Sequence, residues 1–258
     1  MSSKKITKIE GADEQVSQSK GFVPTEDSKG KATQLRMFAA LSWLGAIGAQ
    51  IGAILLLFKP PVNMTWVIVL IVVDLAFAIL GSYLWKKSNR LDPASEKNKF
   101  MFFMQSQLGL VVAIIAFLPL VIFVFTSKNL DGKQKGIIGG IAAVALVIAG
   151  IAGTDFNPPS VEQYTEQTEQ VEGLNNGVNH VFWTKSGKSF HLFQDCGYIN
   201  SDRTTEIFQG TVAQARELKN ITDLCDRCGN KAKKNQETES VLEAPAIEEI
   251  SVDAEAAE

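Results

Sequence analysis

Leu108-Gly-Leu-Val-Val-Ala-Ile-Ile-Ala-Phe-Leu-Pro-Leu-Val-Ile-Phe-Val-Phe125 runs without a single charged or hydrogen-bonding side chain. At helical rise it reaches about 27 Å, close to the thickness of a bilayer's hydrocarbon core. A helix that is apolar all round has no face to offer water, which separates it from an ordinary amphipathic core helix. Residues 67–73 have the same character. Working outward, four stretches are long enough to cross a membrane: residues 37–58, 64–85, 100–125 and 136–152. The last is the shortest and is rich in Gly and Ala.

The polar residues divide around that block. The first 35 residues contain no apolar core of the kind a cleaved signal peptide needs, so the first span reads as an uncleaved anchor. Residues 237–258 carry eight Asp or Glu and no Lys or Arg, whereas residues 180–234 carry nine Lys or Arg against six Asp or Glu. The first composition is that of a disordered acidic tail and the second that of a small, mildly basic domain. The expected organisation is a disordered N-terminus (1–35), a four-helix transmembrane region (36–153), a polar linker (154–178), a folded module (179–234) and an acidic tail (235–258).

Orientation follows from the basic residues beside each span. Lys20, Lys29, Lys31 and Arg36 precede the first, and Lys86, Lys87, Arg90, Lys97 and Lys99 occupy the second loop. Lys59, Lys128, Lys133 and Lys135 are all that the other two loops hold. An inside N-terminus places nine positives in the cytoplasm and four outside, so both termini are expected to be cytoplasmic and the protein to be a multi-pass protein of the plasma membrane.

Asp74, Gln50 and Gln107 stand out among the polar residues of the spans. Asp74 lies near the middle of the second, where a carboxylate is costly and often functional. Gln50 and Gln107 lie at depths that would let either meet it inside the bundle, and no Lys, Arg or His stands in any span. Asp74 reads either as part of a proton or cation pathway or as an acid hydrogen-bonded between helices. Pro119 predicts a kink. Gly48-x3-Gly52, the row Gly45, Ala49 and Ala53, and the row Ala145, Ala149 and Gly153 read as close-packing surfaces.

Behind the membrane block stand all three cysteines of the chain, Cys196, Cys225 and Cys228, with His191 five residues ahead of the first. His191-x4-Cys196-x28-Cys225-x2-Cys228 supplies the four ligands of a closed tetrahedral zinc site. An odd number of cysteines in a reducing compartment suits metal better than disulfides. The single histidine and only three thiolates favour zinc over an iron–sulfur cluster. His180 and Asp195 are substitute ligands of lower rank. A folded unit of roughly 50 residues also buries too little apolar surface to be secure without a staple.

Local patterns fill in an α+β module. Residues 180–184 and 189–193 are aromatic and β-prone and read as a hairpin turning at Ser186-Gly187. In that register Trp183 faces Phe190 and Val181 faces Leu192, leaving His191 beside Phe182 on the other side. Thr211-Val-Ala-Gln214 is a capping box opening a short helix to Lys219, with Asn220 at its left-handed end. Cys225-Asp-Arg-Cys228-Gly229 forms a knuckle whose amides are placed to donate to thiolates.

The stretch from Val181 through His191 to Cys228 resembles a small bacterial zinc-binding module, loosely similar to the metal-binding domain of Ada-type DNA repair proteins. The likeness covers about 50 residues and none of the membrane region. It implies a strand pair, a helix and a four-ligand zinc site. It departs from the Ada pattern at the first ligand, His191 in place of cysteine, so the family's phosphotriester repair does not carry over.

These observations favour a non-enzymatic membrane protein whose cytoplasmic zinc module is structural and binds a protein partner. Four protein ligands leave no coordination position for a catalytic water, and Glu206 is a candidate base by composition alone. Other readings are a metal or redox sensor with Arg227 between two thiolates, a small transporter or channel using Asp74, and nucleic-acid binding through Arg203, Arg216, Arg227, Lys231, Lys233 and Lys234.

Overall fold

The computed structural model describes residues 5–9, 22, 24–219 and 221–243. In chain order these form β1 (Lys5–Lys8), α1 (Glu26–Leu57), α2 (Met64–Leu91), α3 (Lys99–Ser106), α4 (Leu108–Thr126), α5 (Gly132–Gly153), α6 (Val161–Leu174), β2 (Val181–Thr184), β3 (Ser189–Phe190), β4 (Glu206–Gly210), α7 (Val212–Lys219), β5 (Asp223–Leu224) and α8 (Asp226–Glu243). They divide into a helical unit and a smaller unit built mainly from the two ends of the chain.

In the helical unit, α1, α2, α4 and α5 are each long and apolar enough to cross a membrane. Side-chain caps start three of them: Thr25 accepts from the Ser28 amide, Asn63 from Trp66, and Asp131 with Gln134 forms a reciprocal capping box. Large exposed apolar side chains such as Leu44, Val72, Ile122 and Val147 face outward, while the interior is lined by Ala and Gly interleaved with Phe117, Leu120 and Ile71. In a bilayer, lipid would be as apolar as these side chains, so close van der Waals packing rather than hydrophobic burial would join the helices. A Cβ on Gly153 would lie 2.6 Å from the Gly109 backbone, and one on Gly81 2.5 Å from the Trp43 indole. The row Ala145, Ala149, Gly153 is therefore a true contact surface. Gly48 is not: it is exposed, with nothing within 4 Å of its missing Cβ.

The third span is shorter than the sequence predicts. The helix expected over 100–125 breaks at Gln107, which ends α3 and precedes α4. Its amide donates to the Asp155 carbonyl at 2.8 Å and its oxygen accepts from the Asp155 N–H at 3.1 Å. Held there, Gln107 lies at the end of a crossing helix rather than inside one. The same end of the unit is tied by further polar contacts to backbone. Arg36 bonds the Asp92 carboxylate at 2.7 Å and its carbonyl at 2.8 Å, Lys86 reaches the Thr154 carbonyl, and Tyr164 the Arg90 carbonyl.

Three more boundaries shift. The expected linker contains α6, whose Glu- and Gln-rich sequence favours helix, with the Ser160 hydroxyl accepting from the Gln163 amide. The N-terminal 35 residues supply β1 and the first turns of α1. At the other end α8 continues past residue 234 to Glu243. Most of the acidic tail, residues 244–258, and Asn220 lie outside the described residues.

The smaller unit holds a three-stranded sheet of order β1-β4-β2 and a two-stranded sheet β3-β5. β2 runs antiparallel to β4 and β1 parallel to it. The hairpin register is the expected one: Phe182 and His191 exchange two backbone hydrogen bonds of 2.7 Å. Val181, Trp183, Phe190 and Leu192 are all buried in one core with Val171, Ile207 and Ala232. The Thr211–Gln214 capping box is present in both directions, at 3.2 and 2.9 Å.

Gly153→Ala should lower the melting temperature of the detergent-solubilised protein, because overpacking a close crossing costs about 1–3 kcal/mol. Gly140→Ala serves as control, since its Cβ meets nothing within 4 Å, and should leave the melting temperature unchanged or raised. Equal effects would contradict the α4–α5 crossing.

Candidate metal centre

The strands bring the four sequence-distant ligands together. Parallel pairing of β3 with β5 sets Phe190 against Leu224, which makes the next residue on each strand, His191 and Cys225, neighbours. The Cys225 amide donates to the Phe190 carbonyl at 2.9 Å and fixes that approach. The chain then turns so that the Cys196 amide bonds the Phe193 carbonyl at 3.2 Å. Cys225 directly precedes α8 and Cys228 lies in its first turn, where the Gly229 amide returns to the Cys225 carbonyl at 3.0 Å.

One ligand atom from each of His191, Cys196, Cys225 and Cys228 lies within 4.8 Å of every other, and all four residues are buried. Nδ1 of His191 stands 3.7 Å from Sγ of Cys228. A tetrahedral metal with ordinary zinc–sulfur and zinc–nitrogen bonds would have an S···N edge of about 3.6 Å. The donors therefore have the spacing of a coordination shell. Free cysteines that merely packed in the core would not require an imidazole nitrogen among them.

The electrostatics agree. Among protein atoms alone, burial pushes the Cys228 thiol up to about 12, against the lowering effect of the Phe193 and Leu192 amides, and the nearby Cys196 adds to the rise. Burial pushes the His191 imidazole down, which keeps it neutral with a lone pair to donate. A divalent cation reverses this balance by displacing the thiol protons, so metal affinity should weaken as pH falls. Soft thiolates with one imidazole suit zinc. The amides that reach Cys228 belong to Leu192 and Phe193, beyond the knuckle in which the sequence placed them.

The remaining candidates lie elsewhere. Asp195 is exposed and pairs with Lys231 at 3.2 Å. His180 stacks edge-on against Phe182. Glu206 accepts from Thr7 at 2.5 Å and pairs with Lys5 at 3.3 Å, at the start of the central strand β4. None of the three belongs to the four-donor cluster.

The intramembrane polar residues do not converge as expected. Gly45 lies against Phe77 and Gly52 against Leu70, so α1 and α2 run antiparallel with Asp74 level with residues 48–50. Gln50 is at that depth but turns its amide to the Ile115 carbonyl at 3.2 Å. Gln107 is engaged with Asp155. Both carboxylate oxygens of Asp74 are buried and have no hydrogen-bond partner among the described residues.

Cobalt(II) titration of the reduced, detergent-solubilised chain should give the thiolate charge-transfer and tetrahedral d–d bands of an S3N site. Removing a ligand outright should weaken binding by more than the roughly 100-fold that loss of a supporting contact costs, so Cys196→Ser, Cys225→Ser, Cys228→Ser and His191→Ala should each lose these bands at matched concentration. His180→Ala and Asp195→Asn should keep them. Loss in the second pair and retention in the first would mean that the cluster is misassigned.

The four donors form a possible metal site, and nothing in the fold or the comparisons supports the Ada likeness itself. No family model, no curated protein and no solved structure matches this chain.

Proposed function

We propose that this is an integral membrane protein whose four crossing helices carry a zinc-stabilised module on the cytoplasmic face, and that the module binds a protein partner rather than catalysing a reaction. The observation that carries the reading is the convergence of four buried protein donors, all within 4.8 Å of one another. Such a set fills the coordination sphere and leaves no position for substrate or an activated water. Zinc matches the donors better than an iron–sulfur cluster, whose usual ligation needs four thiolates. The loose Ada similarity supports the same metal without carrying any repair chemistry.

The sheet supports the topology. β1 precedes all four crossing helices and β4 follows them, yet the two strands are hydrogen-bonded. They can meet only if the chain crosses the membrane an even number of times between them. Four crossings meet that condition, and the excess of Lys and Arg on the N-terminal side assigns the shared face to the cytoplasm. The helix content and the basic residues together favour the plasma membrane.

A redox or metal sensor is a weaker reading, because Cys196, Cys225 and Cys228 are all 7 % exposed or less and reactive thiolates are generally accessible. A transporter has one observation in its favour: the unpartnered carboxylate of Asp74 in the bundle interior. Asp74→Asn should abolish proton or cation flux in proteoliposomes under that reading, and equal flux with both proteins would end it. Nucleic-acid binding has only a modest basic excess behind it. It predicts a salt-sensitive gel shift.

Full-length protein purified in detergent under reducing conditions should contain close to one zinc per chain. Chelation should abolish amide-exchange protection over residues 181–229 and leave that of α1, α2, α4 and α5 intact. A chain free of metal with residues 181–229 still protected would contradict the proposal.

A further inference from the structure

β1 is held unlike the rest of the sheet. Its four side chains are exposed or half-buried, and its strand pairing is with β4. Residues 5, 7 and 9 share one side of the strand by the two-residue alternation of an extended chain. All three contact β4 or the core beside it. The Lys5 ammonium pairs with the Glu206 carboxylate at 3.3 Å and the Thr7 hydroxyl donates to the same group at 2.5 Å. Ile9 packs on the module's apolar core, and its amide bonds the Gln209 carbonyl at 3.1 Å. Ile6, on the opposite side, is 43 % exposed.

Without β1, the β4 edge would present a row of backbone donors and acceptors, a carboxylate at one end and an apolar seat about 13 Å further on. Edges of this kind bind extended peptides by adding a strand: backbone hydrogen bonds give affinity and alternate side chains give selectivity. Glu206 is the anionic end of this slot and accepts from Thr7 and Lys5 of β1, contacts that hold its carboxyl below its ordinary value. β1 is held by its four-residue backbone pairing with β4, the Thr7 hydrogen bond, the Lys5–Glu206 ion pair and Ile9, while its own side chains stay exposed or half-buried.

We propose that the β4 edge is a strand-addition site for an extended segment of a protein partner with the pattern basic-x-Ser/Thr-x-aliphatic, and that Lys5-x-Thr7-x-Ile9 occupies it in cis as a displaceable plug. The inference rests on the reading of the module as an interaction unit, and names its ligand. The parallel register to β4 and the carboxylate of Glu206 define the direction and the first residue of the bound segment. A partner in the same membrane is presented at a high local concentration, so it is the kind of partner able to compete with β1.

The test uses the full chain in nanodiscs, with zinc content measured on every sample. The probe is a fluorescent peptide of sequence Lys-Lys-Ile-Thr-Lys-Ile-Glu, followed by anisotropy. Lys5→Glu in the chain repels the resident strand from Glu206, so the peptide should bind that variant at least tenfold more tightly than the unaltered chain. Glu206→Lys in the chain should abolish binding of this peptide and create binding of its charge-reversed version, with Glu in place of the second Lys. Absence of saturable binding to the Lys5→Glu chain, or failure of the charge reversal to swap specificity, overturns the proposal when zinc is present at one per chain. Swapped specificity in a zinc-free protein would keep the slot and refute the metal reading instead. Dimers that form only when β1 is intact, and no peptide binding, would assign the slot to a second copy of the chain and overturn the partner proposal.

Discussion

Everything in the smaller unit depends on bringing three thiols and an imidazole to one buried point. Its core is small, with Trp183, Phe190 and Ile207 as its largest fully buried apolar side chains. Burying four donors without a cation to bind would leave polar groups poorly satisfied in a core that has little stability to spare. With a divalent metal, the same four residues cross-link β3, the following turn, β5 and the first turn of α8. Ligand binding energy then becomes folding energy. The helical unit solves a different problem, that of joining helices where lipid offers no hydrophobic gain, and answers it with Gly and Ala at the crossings.

Much of this was legible because the signals are local. The alternation in Val181-Phe-Trp-Thr184 and Ser189-Phe-His-Leu-Phe193 fixes which face is buried, and a one-residue slip would have exposed Trp183. Thr211 and Gln214 are three residues apart and cap their helix as such pairs do. The four residues that cluster as possible metal ligands were readable from type and spacing, although the parallel β3-β5 pairing that brings His191 and Cys225 together was not. A two-residue strand such as Asp223–Leu224 has no pattern of its own.

The features that escaped the sequence depend on distant partners. Gln107 reads as part of a continuous apolar helix, and the break there reflects an interaction with Asp155, 48 residues away. Thr7 and Glu206 are separated by 199 residues, and nothing near Lys5 foretells a strand. By depth, Asp74 could meet either Gln50 or Gln107. The helix rotation that turns Gln50 toward Ile115 is a property of the packed bundle rather than of either segment. The Glu- and Gln-rich run in α6 looked like a linker because its polarity hid a good helix-forming composition.

The central claim is a closed metal site made entirely by this chain, and X-ray absorption at the zinc edge of the full-length protein tests it most directly. The account predicts three sulfur scatterers at about 2.3 Å and one nitrogen at about 2.0–2.1 Å, with imidazole multiple scattering and no bound water. A shell with an oxygen in place of a sulfur, or one with no imidazole contribution, would contradict it and reopen the site to catalysis or metal exchange.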